Sequence, residues 1–105
     1  MKKMLFMLIL ILCISSNASA WVVGIGAQTC GEMISDSTDK DYRRWMSIWL
    51  QGYVSASNNI YYGSKYADAD SIYYETLRIC KENPLLHVWA AADKTYNNLK
   101  IKKKN

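Results

Sequence analysis

Few residues of this 105-residue chain could do chemistry. His87 is the single histidine, and Cys13, Cys30 and Cys80 are the three thiols. A Ser-His-Asp relay needs a nucleophile on a strained turn, and no such context surrounds any serine here. A structural metal site needs more imidazole or free thiolate than the chain carries. Asp36, Asp39 and Asp41, with Asp68 and Asp70, are near one another in sequence but lack the twelve-residue calcium-loop pattern, so helix capping accounts for them better. No pair of carboxylates is singled out for glycoside hydrolysis. Gly24-Ile25-Gly26 lacks the third glycine and the βαβ setting of a phosphate loop and reads as a lead-in. The expectation is a non-enzymatic protein with no catalytic residue, no metal and no cofactor.

The cysteines speak to compartment instead. Lys2 and Lys3 precede an apolar run from Met4 to Ile14, and Ala18-Ser19-Ala20 follows. This is the basic, apolar and small-residue order of a cleaved secretory signal, residues 1–20. The run is too short to span a bilayer, so no stable membrane anchor is expected after cleavage. Cys13 follows Leu12, where lipid attachment wants a small residue, so it leaves with the signal. Cys30 and Cys80 remain, and an exported chain with two cysteines is expected to pair them. Closing that 51-residue loop is worth about 4 kcal/mol in the chain-entropy model. For a domain of residues 21–105, marginal on burial alone, that is a large share of its stability.

Eleven Lys/Arg against nine Asp/Glu remain after cleavage, and Lys100, Lys102, Lys103 and Lys104 crowd the last six residues. Without them the body is slightly acidic. The basic character belongs to a solvated tail, and nucleic acid is not expected as a partner.

The elements are read from caps and periodicity. Thr29 and Glu32 form a capping box before a short helix at about 30–35. Thr38 and Asp41 repeat the spacing before a long helix at about 39–61. Its polar stripe is Arg44, Ser47, Gln51, Ser55 and Asn58, and the remainder is a wide apolar arc including Trp45, Trp49, Leu50 and Tyr53. Gly52 reads as a close-packing point against a neighbouring helix. A polar, tyrosine-rich loop follows to Ala67, then a helix capped by Asp68 or Asp70 and ending near Lys81. Asn83 and Pro84 predict the start of a last helix with Leu85, Val88, Trp89, Ala92, Tyr96 and Leu99 on one stripe. The fold class is all-α: a small four-helix domain stapled by one disulfide, Cys30–Cys80. Four Trp and eight Tyr are more than so small a core can hide. Trp45, Trp49, Leu50, Tyr53 and Trp89 are therefore the candidate surface for a protein partner or client.

The layout of Thr29-Cys30, Trp49, Gly52-Tyr53, Asn58-Asn59, Cys80 and the lysine-rich end resembles the HdeA/HdeB family of periplasmic acid-stress chaperones. The resemblance implies a periplasmic homodimer, idle near neutral pH, that dissociates in acid and holds unfolding clients on apolar surface. At about pH 2 all nine carboxylates would be neutral and the charge near +13, so self-repulsion would favour opening. The chain is also similar to the Rap1a/Tai immunity proteins, through the cysteine after Gly26, the Gly52-Tyr53 pair and Cys80 ahead of Pro84. That likeness implies binding to a secreted toxin enzyme.

Overall fold

The computed structural model describes residues 24–101. The expected signal at 1–20 and the lysines beyond Ile101 lie outside the described residues. Among the described residues the fold is four α-helices around one core, with a two-stranded ribbon at one end: α1 (Cys30–Asp36), α2 (Lys40–Ile60), β1 (Lys65–Tyr66), α3 (Ala69–Glu82), α4 (Val88–Asn98) and β2 (Lys100–Ile101). A single 3₁₀ turn, Ile25–Ala27, precedes α1. The all-α fold, its four helices and the Cys30–Cys80 bridge are as the sequence predicts.

Local chemistry sets the helix starts. At α1 the Thr29 hydroxyl accepts from the Glu32 amide at 3.2 Å, while the Glu32 carboxylate accepts from the Thr29 amide at 3.4 Å. The second box is different: Asp39, not Thr38, caps α2, taking the amides of Asp41 at 2.8 Å and Tyr42 at 3.2 Å. Asp39 is the better acceptor because its carboxylate also meets the positive end of the helix. Asp68 caps α3 through the Ser71 amide at 2.7 Å.

One face of each long helix is buried. On α2 it is Met46, Leu50, Val54 and Ser57, spaced four, four and three apart. On α3 it is Ile72, Tyr73, Thr76, Leu77, Ile79 and Cys80. Burying each large apolar side chain stabilises by about 1.5–3 kcal/mol. Helix α3 is central and packs against α1, α2 and α4. Thr76 and Thr95 meet across the α3–α4 contact with their hydroxyls 2.8 Å apart.

The structure corrects two expectations here. The last helix begins at Val88 with His87 as its cap, not at Asn83-Pro84. Asn83 instead ends α3, its amide donating to the Ile79 and Cys80 carbonyls. Residues 84–87 then run beside the start of α1: the Cys30 amide donates to the Leu86 carbonyl at 2.7 Å and the Gly31 amide to the Pro84 carbonyl at 3.0 Å. Those amides are orphans of a helix N-terminus. A helix through 84–87 would have spent these carbonyls internally. Leu85, expected on the apolar stripe, is 96% exposed as a result.

The segment from Asn58 to Ala67 is only partly a loop. Helix α2 continues to Ile60, and Lys65–Tyr66 pairs antiparallel with Lys100–Ile101. Tyr62 turns the chain in a left-handed conformation, φ 52°. The Asn58 side chain pins the return: its Nδ2 donates to the Lys65 carbonyl and its Oδ1 accepts from the Lys65 amide, both at 2.9 Å. The Tyr96 hydroxyl donates to the same Oδ1 at 3.0 Å, tying α4 to the turn.

Candidate functional site

Cys30 and Cys80 are bonded, with Cα atoms 4.8 Å apart, and both are fully buried. The bridge joins the first residue of α1 to the last turn of α3 and is structural. Among the described residues no three His, Cys, Asp or Glu side chains gather where a metal ion could be held. No described helix is long and apolar enough to cross a membrane.

The aromatic candidates divide by the direction each faces on its helix. Leu50 is 1% exposed in the core, so in the folded protein it is not part of a binding surface. This corrects the sequence reading, which could not say which side of the apolar arc faces inward. Trp49 is half-buried, stacked on Tyr53 with ring centroids 5.4 Å apart. Its indole seals the 3₁₀ turn: a side chain at Gly26 would fall on its six-membered ring. The Gly24-Ile25-Gly26 segment is thus a seat for Trp49 rather than a loose lead-in. Gly52 is open, with no atom near where a Cβ would stand, so it is not a close-packing point. Burial and the nearby Asp93 carboxylate push the Tyr53 hydroxyl above its usual pKa.

Trp45 is 66% exposed and Ile48, three residues on, is 61% exposed. Residues three apart are neighbours on a helix surface. Together with Gly52 and Ala56, both exposed, they make a narrow apolar strip along α2, with the exposed Asp41, Arg44, Gln51 and Ser55 beside it. Trp89, the last candidate, is 39% exposed and stacks on His87 at the start of α4. The structure therefore joins Trp49 to Tyr53, leaves Trp45 outward beside them, and sets Trp89 on another element.

Beside the apolar strip lies a groove between α2 and α3 of about 380 Å³. Its α2 wall carries Lys40, Arg43, Arg44, Ser47, Ile48 and Gln51, and its α3 wall Asp70, Tyr73 and Tyr74. Tyr74 is half-exposed and meets the Tyr73 ring edge-on at 5.3 Å. Tyr73 is 3% exposed, and its hydroxyl is buried without a hydrogen-bond partner. Burial raises its pKa and the neighbouring Arg43 opposes the rise. Beside it, the Tyr42 hydroxyl donates to Gln28 Oε1 at 2.8 Å. Burial, then Tyr73, Asp36 and Glu32, push Tyr42 far above the ordinary phenol range.

The charges of the groove contrast with those elsewhere. Arg78 is held by Glu75 at 2.5 Å and Glu82 at 2.9 Å. No ion pair among the described residues involves Lys40, Arg43 or Arg44. Sequence reasoning passed over this cluster. Its signal was the spacing of Lys40, Arg43 and Arg44 at i, i+3 and i+4, although the Tyr73 wall comes from another helix. No protein-family profile, curated protein or solved structure matches the chain.

Proposed function

We propose that the chain is an exported, non-enzymatic binding protein that engages a folded protein partner at neutral pH through the outward side of α2. This is the mode that the Rap1a/Tai resemblance implies, with a secreted toxin enzyme as partner. The observation that carries the reading is Trp45 with Ile48, both about two-thirds exposed on a helix whose other side is already committed to a core. Tryptophan beside an aliphatic neighbour supplies large contact area at low ordering cost, the composition of interface anchors. All nine carboxylates are exposed or half-buried, and His87 is exposed. Acid therefore has no buried charge to expel in order to uncover this surface.

The acid-activated holdase reading draws on a different observation. The disulfide links only α1 to α3, which would let α2 swing away in acid while the chain stays tethered. Leu50 and Met46 would then join Trp49 and Tyr53 as client surface.

Two measurements separate the readings. Co-purification at pH 7 with the product of an adjacent gene for a secreted enzyme is expected to give a stable complex. Trp45→Ala should weaken it by at least about thirty-fold, the effect of removing a central anchor. Absence of a complex, together with suppression of client light scattering at pH 2–3 by equimolar protein, would reverse the choice.

A further inference from the structure

We propose that the groove between α2 and α3 receives a carboxylate-bearing segment of the protein partner, with Arg43 and Arg44 supplying the charge. The inference rests on the protein-binding reading above and specifies the chemistry of the partner.

Three observations carry it. First, the lining holds three cations, Lys40, Arg43 and Arg44, against one carboxylate, Asp70, and none of the three cations is in an ion pair among the described residues. Arginine left unpaired beside a concavity matches a carboxylate, because its fork of N–H donors meets both oxygens at once. Second, the third arginine of the chain, Arg78, is already held by Glu75 and Glu82, so both guanidinium groups without an ion pair among the described residues stand at this groove. Third, Ile48 belongs both to the groove and to the exposed strip with Trp45. An acidic segment in the groove would thus be continuous with an apolar contact on the strip. Tyr74 adds an exposed aromatic wall on the opposite side.

The probe is a blocked pentapeptide of two aspartates and two glutamates around a central tyrosine. Its control has lysine at the four acidic positions. Each is titrated into the isotope-labelled, disulfide-bonded protein at low salt and followed by amide chemical shifts. The acidic peptide is expected to bind with a Kd of about 1 mM or tighter. The shifts should centre on residues 40–51 and 70–74, and the lysine peptide should leave these amides unmoved. Arg43→Gln with Arg44→Gln should weaken binding at least about ten-fold, the loss of two charge-assisted contacts. The exposed Lys81→Gln should change nothing.

Equal shifts from both peptides, or wild-type affinity in the double arginine variant, would overturn the proposal. The peptide titration needs no natural partner. A groove that binds the acidic probe while no partner complex forms would sink the functional reading alone. A complex broken by Trp45→Ala but not by the arginine variants would sink the groove alone.

Discussion

Gly26 and Gly52 are the same residue with opposite surroundings, and the difference is measurable. At Gly26 a Cβ would overlap the Cζ2, Cη2 and Cε2 atoms of Trp49, and the site is buried. Gly26→Ala should destabilise by about 1–3 kcal/mol, the cost of overpacking a closed site. It should also shift the tryptophan emission as the Trp49 ring moves outward. Gly52 lies inside α2 with open space beside it. Gly52→Ala should stabilise by about 0.5–1 kcal/mol, since a glycine in a helix interior loses more backbone freedom on folding than alanine does. Urea titrations of the two variants check both signs. The sequence suggested the reverse assignment, because a glycine among tryptophans on an apolar arc resembles a packing contact. What decides is which side of α2 the 3₁₀ turn covers, and that is a tertiary fact. The same holds for Leu50 and Trp45. Both belong to one apolar arc, but only the position of α3 makes the first core and the second surface.

The elements most legible in the sequence are those whose cause is local. The Thr29–Glu32 box and the Asp68 cap bond amides within three residues, and both helices start where these residues stand. Where a distant demand competes, local signals mislead. Asn83-Pro84 is a sound helix start in isolation, yet the Pro84 and Leu86 carbonyls are taken by the first amides of α1. The ribbon was equally hidden, since two-residue strands leave no alternation to read, and Asn58 sets their register from inside α2. The α3–α4 seam depends on a pair that sequence cannot reveal. The Thr76 hydroxyl contacts both Thr95 and the Ile72 carbonyl at 2.8 Å, and the Thr95 hydroxyl contacts the Ala91 carbonyl at 3.0 Å. Two hydroxyl protons serve three contacts. Thr76→Val or Thr95→Val alone should cost about 1 kcal/mol through the lost cross-helix bond. The double variant should cost less than the sum, because the second change removes a group already deprived of its partner. A denaturation double-mutant cycle measures that coupling, expected at about 1 kcal/mol. Strict additivity would mean that the hydroxyls stabilise their own helices only.

At the scale of the molecule, one covalent link and a set of exposed charges decide how the fold responds to its surroundings. Removing the bridge as Cys30→Ala with Cys80→Ala frees a loop with a sequence separation of 50. Unfolding free energy should fall by about 4 kcal/mol, out of the 5–15 typical of small domains. A urea titration followed by tryptophan fluorescence reads the loss. Acid should act more gently. Hydrogen bonds from the Ser71 backbone and side chain hold the Asp68 carboxyl below its ordinary value of 3.8, and the hydrogen bond from Arg78 holds Glu75 below 4.5. Both groups bind protons more weakly in the folded state than in the unfolded chain. Their contribution is therefore complete above about pH 5 and is lost as pH falls through their folded values. Urea midpoints should be flat in this respect between pH 7 and 5 and decline below about 4.5. Asp68→Asn keeps a capping acceptor that does not titrate. Combined with Glu75→Gln, it should make the decline shallower. Because no Asp or Glu among the described residues is buried, the bridged protein should still unfold cooperatively at pH 3. Loss of cooperative unfolding there, with Cys30–Cys80 intact, would instead mean that acid opens the bundle. The aromatic strip would then belong to a larger surface that includes Leu50, as a holdase requires.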